Sequence, residues 1–241
     1  MIRYTDIEKK AGAKMKISVI IPTFNEEKTI EKTLDRVLEQ KVVGETIIVD
    51  DGSRDKTANI LKKNQSRDPR IKLVFHQKNR GKGAAVRTGL SKVSSDYVLI
   101  QDADLEYDPV HYKKLIEKAS YDRAVYGSRL LTKNPHAYAR TYLGNIALTA
   151  LCNLLFGIKL TDSYTGYKLL PTKIMRALNL SSNGFELEAE ITAKLAKRKI
   201  LIIEVPISFT PRKYEQGKKI KTEDALTGAL TFLKVKFGSF N

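Results

Sequence analysis

Short apolar runs closed by polar or glycine-containing loops alternate along this chain with stretches whose apolar residues recur at helical spacing. The first pattern is that of strands buried on both faces, the second that of amphipathic helices. Residues 16–21 read as a first strand, closed by Pro22, which cannot extend a central ladder. Glu26 and Glu27 open a helix with Ile30, Leu34, Val37 and Leu38 on one stripe and acids at its positive end. Residues 46–49 form a second strand, left through Asp50-Asp51-Gly52-Ser53, with Asp55 or Ser53 placed to cap the following helix. A third strand, 71–75, leads through Asn79-Arg80-Gly81-Lys82-Gly83 into a helix over Ala84, Ala85 and Leu90. A fourth, 97–100, precedes Asp108-Pro109 and a helix to Ala119, and a short strand over 124–126 ends in Gly127-Ser128-Arg129. Strands alternating with helices of this length predict an α/β protein, a single Rossmann-like, doubly wound, mainly parallel sheet flanked by helices, with right-handed crossovers.

Beyond Arg129 the alternation loosens. Residues 130–138, with Asn134-Pro135-His136, read as a mobile loop of the kind that becomes a lid or acceptor site. An apolar helix over 142–156 has no basic face, so core is preferred to lipid contact. A polar loop (162–168), a strand (167–170), a helix (186–198), an apolar strand (200–205) limited by Pro206, and a basic flexible stretch (211–219) follow. The last helix, about 223–237, carries Leu226, Leu230, Leu233 and Phe237 on one side. The expected organisation is a flexible leader over 1–14, one domain over 15–221 and a C-terminal amphipathic helix over 222–241. The leader is polar and lacks the apolar segment of a signal peptide. The longest apolar stretch, 146–158, is interrupted by Thr149 and Asn153 and falls short of the roughly 20 residues that span a bilayer, so a soluble or peripheral protein is expected.

Charge narrows the partners. With 43 Lys and Arg against 27 Asp and Glu, the 241-residue chain has a formal net charge of +16, which suits nucleic acid, anionic membrane or phosphorylated substrates. Its lysine and glutamate richness is also what a thermophilic source gives. Nucleic acid is disfavoured: the basic residues are dispersed, and no helix-turn-helix, zinc-finger or RRM pattern is present. Cys152, the single cysteine, excludes an internal disulfide and a cysteine metal cluster, fits a reducing compartment and reads as packing.

The candidate chemistry lies where the fourth strand ends. Asp102, Asp104 and Glu106 alternate just beyond it, where open α/β sheets bind ligands. Oxygen donors in such a set suit a hard divalent cation, Mg2+ or Mn2+. A calcium loop is excluded because Tyr107 stands where its glycine belongs and Lys113 where its closing glutamate belongs. Alone, the Asp-x-Asp pair is equally a solvated acidic turn. The glycine loop 79–83 suits either a phosphate or a plain basic turn, and it is neither a P-loop nor a dinucleotide fingerprint.

Taken in order, Ile-Ile-Pro-Thr-Phe-Asn-Glu-Glu27, Val-Asp-Asp-Gly-Ser53, Asn-Arg-Gly-Lys-Gly83, Gln-Asp-Ala-Asp-Leu-Glu106, Tyr-Gly-Ser-Arg129, Thr-Asp-Ser-Tyr-Thr-Gly-Tyr-Lys168, Gly-Phe-Glu-Leu-Glu188 and Gly-Lys-Lys-Ile220 resemble the inverting family 2 glycosyltransferases of the GT-A fold. Within them they resemble the polyprenyl (dolichyl) phosphate mannose and glucose synthases. The resemblance implies that Pro22, Phe24, Glu26 and Asp51 surround a nucleotide base and ribose, with Lys82, Asp102, Ala103 and Asp104 completing the nucleotide-sugar site. It implies Mn2+ or Mg2+ on Asp102, Asp104 and Glu106, an acceptor phosphate on Arg129, Arg140 and Arg212, and a catalytic group of Asp102, Asp104, Arg129 and Arg212. The expected reaction is in-line displacement by a polyprenyl phosphate on a nucleotide-diphosphate sugar, GDP-mannose first, UDP-glucose and UDP-N-acetylglucosamine behind it. An ionised phosphate needs no base, whereas a sugar or protein hydroxyl acceptor needs one, for which Asp162, Glu186 and Glu188 are the candidates. A nucleotidyltransferase would release pyrophosphate instead. Many members of the family carry C-terminal transmembrane helices, and this chain ends at Asn241 without them. The expected location is therefore the cytoplasmic face of a membrane, with Lys213, Lys218 and Lys219 on anionic headgroups and the 142–156 helix at the bilayer edge, or with a membrane-anchoring partner protein.

Overall fold

The computed structural model describes residues 15–136, 138–212 and 222–238. Its strands are β1 (Ile17–Thr23), β2 (Val43–Asp50), β3 (Ile71–Phe75), β4 (Tyr97–Ile100), β5 (Arg123–Ser128), β6 (Lys168–Pro171) and β7 (Leu201–Pro206). The helices are α1 (Ile30–Leu38), α2 (Thr57–Gln65), α3 (Lys82–Leu90), α4 (Tyr112–Ile116), α5 (Ala139–Phe156), α6 (Thr172–Ala177), α7 (Leu187–Lys197) and α8 (Thr222–Phe237). One sheet runs β3-β2-β1-β4-β6-β5-β7, and every pairing is parallel except those of β6, which is antiparallel to both β4 and β5. This is the mainly parallel, doubly wound sheet that the alternation of patterns predicts.

β1 is central and buried on both faces. Ile17, Val19 and Ile21 enter one core layer with Ile30, Leu34 and Val37 of α1 and Tyr112 and Leu115 of α4. Ile20 enters the other, with Val86 and Leu90 of α3 and Leu187, Ile191 and Leu195 of α7. Pro22 lies inside β1 rather than beyond it. The ladder to β4 stops at the Ile20–Ile100 pair, so at Pro22 only β2 is alongside and the missing N–H breaks no bond to β4.

Several elements depart from expectation. Residues 109–119 hold a 3-10 turn (Pro109–His111), capped by the Asp108 carboxylate, and then only the short α4. Helix α5 starts at Ala139 rather than Tyr142, and α6 was not anticipated. The polar loop before β6 is interior: Asp162, Ser163 and Thr165 are fully buried. Helix α8 carries Leu226, Leu230, Leu233 and Phe237 on one side as expected, and that side faces outward. It packs instead through Ala225, Ala229, Phe232 and Val235 onto α5 and α7, in a cluster that also buries Cys152. Gly228 permits the approach, because a Cβ there would collide with the Tyr164 hydroxyl. Among the described residues, no helix is long and apolar enough to cross a membrane. The leader 1–14 and Lys213, Lys218 and Lys219 lie outside the described residues.

Candidate active site

A cleft of about 1230 Å³ opens over the carboxyl ends of β1, β2, β4 and β5, at the point where the strand order turns from β1 towards β4. Pro22, Phe24, Glu26, Asp51, Lys82, Asp102, Ala103, Asp104, Glu106, Arg129, Arg140 and Arg212 all line it. The fold thus gathers, from segments spread over most of the chain, every residue that the resemblance assigns to the nucleotide-sugar, metal and acceptor-phosphate sites; of the three possible bases, Glu188 lines the cleft, and Asp162 and Glu186 are not among its lining.

The β1 and β2 exits are tied together. Asn25 donates its N–H to Ser53 Oγ at 2.9 Å, and its Oδ1 accepts from the Arg54 N–H at 2.8 Å. Asp51 fastens the glycine loop: its carboxylate accepts from the N–H groups of Arg80 (3.0 Å) and Gly81 (2.7 Å) and contacts His76 Nδ1 at 2.6 Å. Glycine is required at 81, where φ is +95° and a Cβ would collide with the Asn183 carbonyl. At Gly83 the collision would be with the Ser182 carbonyl, so the loop sits flush against 182–184.

That seat delivers Lys82 between two acids. Its Nζ lies 2.6 Å from Asp102 Oδ1 and 2.9 Å from Glu188 Oε1, and Glu188 is also bound by the fully buried Lys168. Burial opposes the charge on Lys82, but Asp102 and Glu188 outweigh it and raise its pKa above the ordinary lysine value. Burial likewise opposes ionisation of Glu188, and Lys168 and Lys82 overcome it, holding the carboxyl below its usual range.

Asp104 has the opposite environment. Burial, with the charges of Glu106 and Asp102 added, pushes its carboxyl up to about 8 against the pull of Arg212. Arg212 Nη2 donates to Asp104 Oδ2 at 2.8 Å and Nη1 to Glu26 Oε2 at 3.0 Å, while its backbone N–H donates to Glu106 Oε1 at 2.6 Å. Among the described residues no three acids stand together as a metal cage, so Asp102, Asp104 and Glu106 share the cleft without converging on one point. Asp102 is turned to Lys82, Glu106 to the Arg212 backbone and Asp104 to the Arg212 guanidinium, yet the Asp104 carboxyl stays raised, so Arg212 alone does not offset the acids around it. The donor set is all oxygen and fits a hard divalent ion of the kind that takes one or two carboxylates and completes its shell with substrate phosphates.

The arginines are held differently. Arg129 grips the buried Asp162 through Nε (2.7 Å) and Nη2 (2.8 Å), lies 5.1 Å over the Phe209 ring, and has no hydrogen bond from Nη1 among the described residues. Asp162 also accepts from Asn145 Nδ2 at 3.0 Å, and although burial opposes its charge, Arg129 lowers its pKa. Arg140 is exposed in the first turn of α5, at the cleft rim. The clamp of Asp162 on Arg129 and the row Asp102–Lys82–Glu188–Lys168 were not read from the sequence. Their one trace there is charged residues inside stretches that otherwise look like loop or helix start. Glu186 accepts from the N–H groups of Asn183 (3.0 Å) and Gly184 (2.9 Å).

Comparison with known proteins adds four findings. A family model described as "Glycosyl transferase family 2" matches residues 18–178. UDP-N-acetylglucosamine--dolichyl-phosphate N-acetylglucosaminyltransferase of Methanococcus voltae is 31% identical over 84% of this chain and 88% of its own. Dolichol-phosphate mannosyltransferase of Pyrococcus furiosus is also 31% identical, over 90% of this chain and 61% of its own length. Among solved structures, glucosyl-3-phosphoglycerate synthase from Mycobacterium tuberculosis in complex with Mn2+, UDP-glucose and phosphoglyceric acid superposes with a TM-score of 0.71 at 22% identity, covering 95% of this chain and 81% of that one. That last likeness is one of fold.

Proposed function

The chain belongs to glycosyl transferase family 2 and has the GT-A fold, and on that premise we propose that it moves a hexose from a nucleotide-diphosphate sugar to a polyprenyl phosphate, inverting the anomeric carbon. The observation that carries this reading is that the acidic exit of β4 and the arginines Arg129, Arg140 and Arg212 line one cleft. In it, Pro22, Phe24, Glu26 and Asp51 take the base and ribose, and Lys82 and Ala103 lie beside the diphosphate. Asp102, Asp104 and Glu106 would hold Mn2+ or Mg2+, which when bound stabilises the charge on the leaving nucleoside diphosphate. Arg129, Arg140 and Arg212 receive the acceptor phosphate, whose oxygens match the guanidinium fork.

An acceptor that brings its own charge is favoured because the three possible general bases are already committed. Asp162 is clamped by Arg129, Glu186 caps two N–H groups, and Glu188 is held ionised between two lysines. A hydroxyl acceptor needs a base within reach of its proton, and a phosphate does not. The favoured donor is GDP-mannose, a reading that the family resemblance and the mannosyltransferase relative support, with UDP-N-acetylglucosamine and UDP-glucose next. Action on a lipid acceptor places the protein at a membrane surface, on its cytoplasmic face, bound directly or through a membrane-anchoring partner.

The test is nucleoside diphosphate release from a panel of GDP- and UDP-sugars with Mn2+, with and without polyprenyl phosphate, beside an Asp104→Ala control. Lipid-stimulated release from one donor, lost in the variant, is expected. Release that ignores the lipid but responds to a sugar or protein hydroxyl would overturn the acceptor assignment, and retention of the donor's anomeric configuration in the product would overturn the displacement.

A further inference from the structure

Helices α5 and α8 are apolar on both sides. Their inner sides meet in the cluster around Cys152 and Phe232. Their outer sides bear Leu143 and Leu154 of α5, 61% and 82% exposed, and Leu226 and Phe237 of α8, 66% and 75% exposed. Ile146, Leu230 and Leu233 continue the two stripes, so most of the large apolar side chains that this protein exposes, among those described, lie on these two packed helices. A helix that is apolar all round needs cover on both sides, and an exposed apolar patch of this kind marks a contact surface.

We propose that the outward faces of α5 and α8 dock on an anionic lipid bilayer. Two observations select that occupant, the second of which rests on the polyprenyl-phosphate reading. First, the charge bordering the stripes is cationic: Arg140, Lys234 and Lys236 are exposed, and Glu223 is the one exposed carboxylate among the described residues of these helices. That border complements anionic headgroups, whereas a second copy would bring the same cations, and another +16 of net charge, against them. Second, both helices also build the cleft. Arg140, Gly144 and Leu148 of α5 and Ala225 of α8 line it, so a phosphate held inside has its hydrocarbon tail leaving beside the apolar faces. Docking by these faces sets the cleft mouth at the lipid surface and spares the acceptor a passage through water.

The full chain is sedimented at low salt with vesicles of phosphatidylcholine, and of phosphatidylcholine with phosphatidylglycerol, neither containing polyprenyl phosphate. Leu154→Glu, Leu230→Glu and the double variant are compared with wild type, with melting curves to show that the folded state is intact. Wild type is expected to bind the anionic vesicles, and each single variant to lose at least about tenfold in partition coefficient, the factor that burial of one leucine supplies. Absence of wild-type binding, or binding that the double variant leaves unchanged, overturns the proposal. So does a wild-type dimer in solution that the double variant dissociates while vesicles capture neither protein, since a second copy would then cover the face. Turnover of a short-chain, water-soluble polyprenyl phosphate separates the two readings. If the variants keep that turnover and lose it on vesicle-embedded acceptor, docking is supported. If wild type binds vesicles but transfers to no polyprenyl phosphate, the acceptor assignment fails and the docking surface stands.

Discussion

Glu45, near the start of β2, and Asp104, just past the end of β4, are both almost wholly buried carboxylates, 5% and 8% exposed, at opposite ends of the strands of one sheet. Burial works against ionisation in both. At Glu45 it is overcome by Lys72, Ser18 and the N–H of Ser94, which bring the carboxyl down from an ordinary 4.5 to about 2. At Asp104 the charges of Glu106 and Asp102 add to the effect of burial, and the carboxyl rises to about 8 even though Arg212 donates to it at 2.8 Å. One end of the strands is neutralised by the protein's own donors. At the other, negative charge is gathered beyond what the protein supplies to meet it, which is the condition of a site prepared for a cation or a substrate.

Changes at the two ends should therefore separate activity from stability. The largest effect is expected from Asp104→Asn, which removes the carboxylate assigned to the cation: donor turnover falls about a thousandfold, a loss of several kcal/mol of charge stabilisation, while the melting temperature does not fall. Arg212→Ala comes next. Charge-assisted hydrogen bonds contribute about 1.5–3 kcal/mol, so kcat/KM for polyprenyl phosphate drops roughly ten- to a hundredfold, measured with the acceptor varied at saturating donor. Glu45→Gln acts on the other end and on stability alone, costing about 1–2 kcal/mol at neutral pH in urea unfolding after allowance for the partly exposed Lys72. Because the folded-state pKa is depressed, this contribution is complete above about 4.5 and lost as pH falls from there towards about 2, so the unfolding midpoints of wild type and variant converge in acid. The smallest change is Arg67→Ala. It breaks a 3.4 Å pair with Glu31 whose side chains are each about half exposed, and should shift stability by less than about 0.5 kcal/mol. A loss at Arg67 as large as that at Glu45 would erase the distinction between buried and exposed pairs.

Strand β4 has the bounds its sequence predicts, because a run buried on both faces is set off sharply from the polar residues around it; β3 also has its predicted bounds, although as an edge strand it is only partly buried. The candidate site was legible for a related reason: Asp102, Asp104 and Glu106 leave a strand end, and strand ends in this architecture point into the cleft. Helix α8 and its stripe of four large apolar residues were legible from their spacing, but the side that packs was not, because it is marked by small residues and Phe232. The loop containing Asp162 looked solvated because its polarity is evident in the sequence, but its partner, Arg129, lies 33 residues away. β6 resembles any other strand locally; its antiparallel direction is decided by where α5 returns the chain.

Arg212 meets Glu26 across a sequence separation of 186 residues. On a ribosome, the acids of the cleft emerge long before the arginine that partners them, and β5 waits for β7 before it gains its parallel neighbour. A nascent chain that had reached residue 178, the end of the family match, would hold six of the seven strands and lack Glu188, Arg212 and the packing face of α8. The sheet is thus laid down early in synthesis, while the site is completed only near its end, so a polypeptide released too soon has most of the architecture and none of the finished chemistry.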